Sequence, residues 1–417
     1  MKKIKIVGEK DLTGTIRIGG AKNSAVALIP ASLLADGPVV IDNIPDISDI
    51  DSLVDILEYL GANVTREDER MIIDGTSLIN KDIPEEKAKK LRASYYFMGA
   101  LLGKYKKVDI YFPGGCSIGT RPINLHLKGF EALGAIVTDM GNRYIIEADE
   151  LKGSRIYLDV ASVGATINII MAAVKAKGET IIENAAKEPE IVNIATFLNN
   201  MGAKIRGAGT SEIKITGVEL LSKGFTEVIP DRIEAGTYVI AGALMGNNLK
   251  IENIIPEHIE TLLIKLEEIG ISLDVKEDHL YITSNSFMKP VNVRTLGYPG
   301  FPTDLQQPLT PLLTYCDGRS ILEDTIWENR FKNVPYLNQM GANIVIDKQK
   351  IYVKGPSELK GCEVVATDLR AGACLVLAGL KAKGTTYISD VEHILRGYEN
   401  IIEKLKNVGA DIELIDV

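Results

Sequence analysis

Two rhythms alternate along the chain. Runs with every second residue apolar, beginning with Lys2-Lys3-Ile4-Lys5-Ile6-Val7, predict strands. Longer apolar stretches rich in alanine and leucine predict helices. The rhythms recur with glycine punctuation. A glycine, a small or apolar residue, any residue and an apolar one follow a helical stretch at Gly61, Gly134, Gly202, Gly270, Gly341 and Gly409, in steps of 73, 68, 68, 71 and 68 residues. A second glycine precedes each of these, at Gly37, Gly103, Gly178, Gly246, Gly318 and Gly384, and a short apolar run such as Val39-Val40-Ile41 follows it. Each copy reads as a helix ending near the earlier glycine, such as Gly37, a strand, an amphipathic helix ending at the later one, such as Gly61, and a hairpin. Counted with its incoming strand, the unit is βαβαββ, and the chain contains six.

The sixth copy is cut short. After Gly409 the chain runs only to Val417, without a return strand, whereas the N-terminus starts with Lys3 to Gly8 and continues to Thr15-Ile16-Arg17-Ile18, which resembles the returns Ile213-Lys214-Ile215 and Ile351-Tyr352-Val353. The expectation is that both N-terminal strands complete the sixth unit. One domain then spans 21–229 and the other 1–20 plus 230–417, with crossings near 20–22 and 228–231. A length of 417 residues fits two domains.

Composition narrows the class. With 46% hydrophobic and 25% charged residues the chain is of ordinary globular type. The start lacks the apolar core of a signal peptide, and stretches such as Ala25 to Ala35 fall short of a membrane span, so a cytoplasmic protein is expected. A net charge of −9 argues against nucleic acid as partner. Four scattered histidines and four cysteines without CxxC spacing offer no metal site, and Cys316, Cys362 and Cys374 stand in apolar contexts that predict buried, inert thiols.

The six equivalent helices have comparable starts: Lys22-Asn23-Ser24, Arg92-Ala93-Ser94, Ser162-Val163-Gly164, Asp231-Arg232, Thr303-Asp304 and Thr367-Asp368-Leu369-Arg370. Serine, threonine and aspartate at these places serve equally well as N-caps. Lys22, Arg92, Arg232 and Arg370 do not, because a cation at a helix N-terminus costs a few tenths to about 1 kcal/mol. Their recurrence points to a bound anion at the helix starts. The two marker glycines of the second unit are 31 residues apart, against 23 to 25 elsewhere. The extra residues form Phe112-Pro113-Gly114-Gly115-Cys116-Ser117-Ile118-Gly119-Thr120-Arg121-Pro122, where Arg121 near the thiol favours a reactive Cys116. His126 is expected to cap the helix after this loop.

Taken together, the sixfold βαβαββ plan, Lys22-Asn23, the PGGCSIGTRP loop, Phe301-Pro302-Thr303-Asp304 and Thr367-Asp368-Leu369-Arg370 resemble the UDP-N-acetylglucosamine 1-carboxyvinyltransferase family along the whole chain. The resemblance implies an α/β fold of the EPSP synthase type: two inverted α/β barrels of three units each that close over ligands in the cleft between them. It implies transfer of the enolpyruvyl group of phosphoenolpyruvate to the 3-hydroxyl of UDP-N-acetylglucosamine, with release of phosphate, as the first committed step of peptidoglycan synthesis. It further implies no metal or organic cofactor, a monomer, and a role in cell shape and division.

Residue by residue, the resemblance places Lys22, Asn23, Arg121 and Arg396 at phosphoenolpyruvate. Arg92, the stretch Arg121, Pro122, Ile123, Asn124 and Leu125, then Ser162, Val163, Gly164, Asp304 and Ile326, fall at the sugar nucleotide. Arg232, Arg330, Asp368 and Arg370 complete a charged cleft. Cys116 takes the role of the general acid, able to form a phospholactoyl adduct and to be alkylated by fosfomycin, and Asp304 that of the proton acceptor, a role compatible with N-capping. Val160 stands where many relatives have Lys, which removes one contact to the sugar nucleotide. The alternatives are a transferase acting on shikimate 3-phosphate, disfavoured by the loop cysteine, a non-catalytic paralogue that binds the nucleotide sugar, and an RNA 3'-terminal phosphate cyclase, for which no histidine has the right setting.

Overall fold

The computed structural model describes residues 2–113 and 123–416. Cys116, Arg121 and Pro122 lie outside the described residues. By packing, the chain divides into two compact units, one of residues up to Gly19 together with those from Pro230 on, the other Gly20–Ile229. Each has its own apolar core.

In the Gly20–Ile229 unit the core is built on helices Lys22–Ala31, Tyr96–Tyr105 and Val163–Ala173. They are apolar all round and buried almost from end to end, as such helices must be. Close approach demands small residues. A Cβ at Gly99 would lie 2.4 Å from the Asn168 carbonyl oxygen, so the second and third helices touch where only glycine fits. The other unit repeats the plan with Arg232–Met245, Thr303–Leu313 and Leu369–Lys381. The strands around these helices alternate buried and exposed positions, as in the eBeBe pattern of Glu212–Thr216. Helices inside and sheets outside is the inverted arrangement expected.

Among the described residues five sheets have four strands, with one parallel edge strand beside an antiparallel trio. The second copy has three, Lys107–Tyr111, Ile136–Asp139 and Arg143–Glu147, and a lone bridge from Ile83 to Ile110 stands for the fourth. Lys2–Val7 lies antiparallel between Thr385–Ser389 and Asp411–Asp416, pairing Ile4 with both Ile388 and Leu414, and so completes the sixth copy. Thr15–Arg17 does not join it. That strand runs parallel to Leu249–Glu252 in the fourth copy, which corrects the expectation that both N-terminal strands belong to the sixth. The reason is the crossover. A parallel edge strand needs a helix between it and its partner, and the helix that enters Leu249–Glu252 is Arg232–Met245, so the Gly20–Ile229 unit is inserted between that edge strand and its helix. Gly224–Glu227 plays the matching part for Val39–Asp42.

One asparagine holds each of three such edges. Asn43, Asn184 and Asn253 follow the second strand of their sheets at φ of 58°, 53° and 58°. Their Nδ2 groups donate to the carbonyls of Val228, Leu158 and Ile18, each just past the parallel edge strand, at 2.7, 2.8 and 2.7 Å. Asn253→Ala removes a hydrogen bond and puts a Cβ-bearing residue without a local polar partner at positive φ, a combined loss of about 2 kcal/mol. Asn253→Gly restores only the backbone freedom and is expected to lose less. Urea unfolding followed by the fluorescence of Trp327, the chain's single tryptophan, reads this unit directly.

Candidate functional site

Six helix starts were expected near the site residues, and the structure begins a helix or a 3-10 turn at each: Lys22, Arg92, Val163, Arg232, Thr303 and Leu369. Ser162, Asp231 and Asp368 cap three of them through their side chains, accepting from Ala165 N, from Ile233 N and Glu234 N, and from Arg370 N and Ala371 N. Asp304 is not a cap. Pro302 holds that position without a side-chain bond, which frees the Asp304 carboxylate for other partners and corrects the capping alternative.

In the Gly20–Ile229 unit, Arg92, Ile123 to Leu125 and Ser162 to Gly164 come together around two rings. Tyr95 meets His126 edge-on with centroids 5.0 Å apart, and the Arg92 guanidinium stands 5.9 Å from the Tyr95 ring centre. Gly164 closes on both rings. A Cβ there would lie 3.0 Å from His126 Cε1 and from the Tyr95 hydroxyl. His126 belongs to the third position of helix Asn124–Ala132 and is no cap; it is buried, with Nδ1 2.9 Å from Asn168 Nδ2. Because Asn168 Nδ2 is a donor, His126 Nδ1 accepts. Burial, with the Arg92 charge adding to it, pushes the His126 imidazole down to about 3, so it is neutral. Val160 is exposed, and its neighbour Asp159 pairs with Lys128 at 2.7 Å.

Lys22 begins another helix of the same unit, Lys22–Ala31. Its ammonium is 2.5 Å from Asp49 Oδ2, with both side chains largely buried. A carboxylate of the same chain thus offsets the cation at this helix start, which the helix-dipole argument did not foresee. Asn23 follows it, half-buried.

The other unit gathers Asp304, Arg330 and Arg370. Arg330 Nη2 donates to Asp304 Oδ1 at 2.6 Å and Arg370 Nη2 to Oδ2 at 3.0 Å. Both arginine side chains are buried, and that of Asp304 is 26% exposed. Burial alone would raise the Asp304 carboxyl, but the two guanidinium charges and their hydrogen bonds outweigh it and hold it well below the usual carboxylate range. Arg370 stays protonated: burial acts against its charge, but the hydroxyl of Tyr398 and the Asp304 carboxylate overcome that. The Arg370 guanidinium lies 5.3 Å from the Tyr398 ring centre, and the Tyr398 hydroxyl is 2.9 Å from Thr237 Oγ1.

Asp324 is the residue that sequence reasoning missed most. Fully buried, it takes Thr303 Oγ1–H on Oδ2 at 2.6 Å, and the backbone N–H groups of Ile326 and Trp327 on Oδ1 at 2.9 and 3.1 Å. It thereby holds the turn that carries Ile326. Arg232 stands 5.6 Å from the Tyr298 ring centre, and Arg396 follows the short helix Glu392–Leu395, two residues before Tyr398. Cys316 and Cys374 are buried, each pushed up to about 12 by burial. Cys362 is half-buried rather than buried. Among the described residues no group of three or more side chains could hold a metal ion, and no helix is long and apolar enough to cross a membrane.

Three βαβαββ copies per unit, helices inside and sheets outside, with arginines and carboxylates at the helix starts, define an inverted α/β repeat protein with a charged, anion-binding type of site. The family pattern described as EPSP synthase (3-phosphoshikimate 1-carboxyvinyltransferase) matches residues 6–405. A UDP-N-acetylglucosamine 1-carboxyvinyltransferase 2 of Listeria monocytogenes serovar 1/2a is 55% identical over 407 residues, 98% of this chain and 96% of the relative. The enolpyruvyl transferase NikO of Streptomyces tendae superposes with a TM-score of 0.90 at 26% identity, covering 100% and 99% of the two chains. An EPSP synthase of Acinetobacter baumannii shares the fold, with a TM-score of 0.75 at 17% identity over 100% of both chains. The chain belongs to the EPSP synthase family, and it is a transferase.

Proposed function

We propose that this transferase moves the enolpyruvyl group of phosphoenolpyruvate to the 3-hydroxyl of UDP-N-acetylglucosamine and releases phosphate, in the cytoplasm, at the entry to peptidoglycan synthesis. The observation that carries the reading is the Asp304 carboxylate, kept ionised between two buried arginines in the first turn of a helix. The names of the relatives, which match along nearly the whole chain, support the choice of acceptor over shikimate 3-phosphate.

The chemistry asks for three things. The sugar oxygen bonds to C2 of phosphoenolpyruvate as its proton leaves, C3 receives a proton, and the C2–O bond to phosphate then breaks as a C3 proton is lost again. Asp304 is assigned the hydroxyl proton. With both guanidiniums on it the carboxylate is a weak base, and its basicity rises when either one turns toward a substrate anion. Cys116 is assigned proton delivery to C3. Lys22, Asn23, Arg121 and Arg396 are assigned the phosphate and carboxylate of phosphoenolpyruvate, where charged bidentate donors bind best. Arg92, Arg121, Pro122, Ile123, Asn124, Leu125, Ser162, Val163, Gly164, Asp304 and Ile326 are assigned the nucleotide sugar, and Arg232, Arg330, Asp368 and Arg370 the surrounding charge.

Phosphate release from phosphoenolpyruvate tests the reading. Release is expected with UDP-N-acetylglucosamine, none with shikimate 3-phosphate, and a loss of roughly 10²-fold or more in Cys116→Ala. Fosfomycin should add its full mass once to the wild type and not to that variant. Release with neither acceptor would sink the assignment.

A further inference from the structure

In the fifth and sixth copies an aspartate, Asp324 or Asp390, follows the second strand of the sheet. Where Asn43, Asn184 and Asn253 follow the second strand of their sheets and donate to an edge-strand carbonyl, the residue after strand Gly318–Glu323 is Asp324, a side chain that only accepts. Its carboxylate still reaches the edge, with the bond reversed: Thr295, just past the parallel edge strand Asn292–Arg294, donates its Oγ1–H to Oδ1 at 3.1 Å. Ile326 N and Trp327 N donate to the same oxygen, and Thr303 Oγ1 donates to Oδ2 at 2.6 Å. Thr303 passes the effect on. Its single hydroxyl proton goes to Asp324, so its lone pairs face Arg330 Nη1, which donates to it at 2.9 Å. The other terminal nitrogen of Arg330 holds Asp304.

We propose that Asp324 is a positioning residue of the transfer site: through Thr303 it fixes the Arg330 guanidinium on Asp304, and through the 324–327 turn it presents Ile326. The inference rests on the assignment of Asp304 to the hydroxyl proton. An amide cannot replace the carboxylate. With its oxygen toward Thr303, the amide nitrogen faces the Thr295 hydroxyl and two backbone N–H groups. Turned over, it donates to Thr303, whose proton then points at the Arg330 N–H. Either way a donor meets a donor.

The experiment combines Asp324→Asn, Thr303→Val, Thr303→Ser and the double variant Asp324→Asn/Thr303→Val. Asp324→Asn and Thr303→Val should each lower kcat by roughly tenfold to a hundredfold, Thr303→Ser should retain it, and only Asp324→Asn should also raise KM for the sugar nucleotide. Because both changes cut one path, the double variant should match the worse single variant within about twofold in kcat. Multiplying effects would overturn the proposal, since two independent structural losses behave that way. A crystal structure of the Asp324→Asn protein decides the matter without any assay: the Thr303–Arg330 contact is expected to open beyond hydrogen-bond reach, and its persistence overturns the relay. Wild type that fails to release phosphate rejects the assignment of the reaction and leaves that structural arm standing.

Discussion

Asp304→Asn is expected to cost roughly 10²- to 10⁴-fold in kcat, the range that a positioned proton acceptor supplies, and to destabilise its unit as well. Two buried guanidiniums share the Asp304 carboxylate. Removing its charge leaves both facing a neutral amide, and breaking a buried pair from one side costs roughly 3–5 kcal/mol. The arginines keep other partners, Thr303 for Arg330 and Tyr398 for Arg370, which places the expected loss at the lower end. The pH dependence gives the sign. The folded carboxyl is held below its unfolded value of about 3.9, so its contribution to stability is present above that pH and is lost as the solution is acidified. Wild type should therefore lose stability below about pH 4 more steeply than Asp304→Asn, with Trp327 fluorescence reporting this unit. Parallel acid profiles for the two proteins would show that the arginines do not hold the carboxylate in solution.

The fold was legible because glycine marks every copy at a nearly fixed interval and because six apolar helices leave no doubt about what is buried. Helix starts were legible to within a few residues for the same reason, the second opening as a 3-10 turn at Arg92 before its α-helix begins at Tyr96. The placement of Thr15–Arg17 was not. A three-residue strand carries too little pattern to choose its sheet, and the choice is made by the helix that crosses back to it, which lies more than 200 residues further on. The signal that could have found it was Asn253, the copy of Asn43 and Asn184, each of which clamps a parallel edge. Candidate site residues at helix starts were readable from spacing, since cations there stand against the dipole. Their partners were not. Asp49 beside Lys22, Asn168 beside His126, and Tyr398 with Thr237 beneath Arg370 belong to no motif, and tertiary packing alone brings them in. Asp324 was detectable only in part, because aligning the copies shows an acceptor in place of a donor in both the fifth and the sixth, Asp324 and Asp390. Misreading Asp304 as compatible with an N-cap came from counting residue types at a helix start, when Pro302 had already taken the position.

Arg370 offers the sharpest test of how that charged group is built. Its guanidinium does two things at once: Nη2 reaches Asp304 Oδ2, and the central carbon stands 5.3 Å from the Tyr398 ring centre. Thr237 orients the ring's hydroxyl. Its own proton goes to the Ile233 carbonyl at 2.8 Å, so it accepts from Tyr398. Lysine carries the same charge but as a point on a flexible stem, without the flat face for the ring or a fork for the carboxylate. Arg370→Ala is expected to destabilise the unit by about 3 kcal/mol, since Asp304 loses one of its two buried partners. Arg370→Lys should recover less than half of that. Urea unfolding midpoints from Trp327 fluorescence measure both. If Arg370→Lys came within about 0.5 kcal/mol of wild type, charge alone would hold Asp304 and the contact with Tyr398 would be incidental. If it does not, the geometry of the guanidinium is what keeps the carboxylate ionised and aimed.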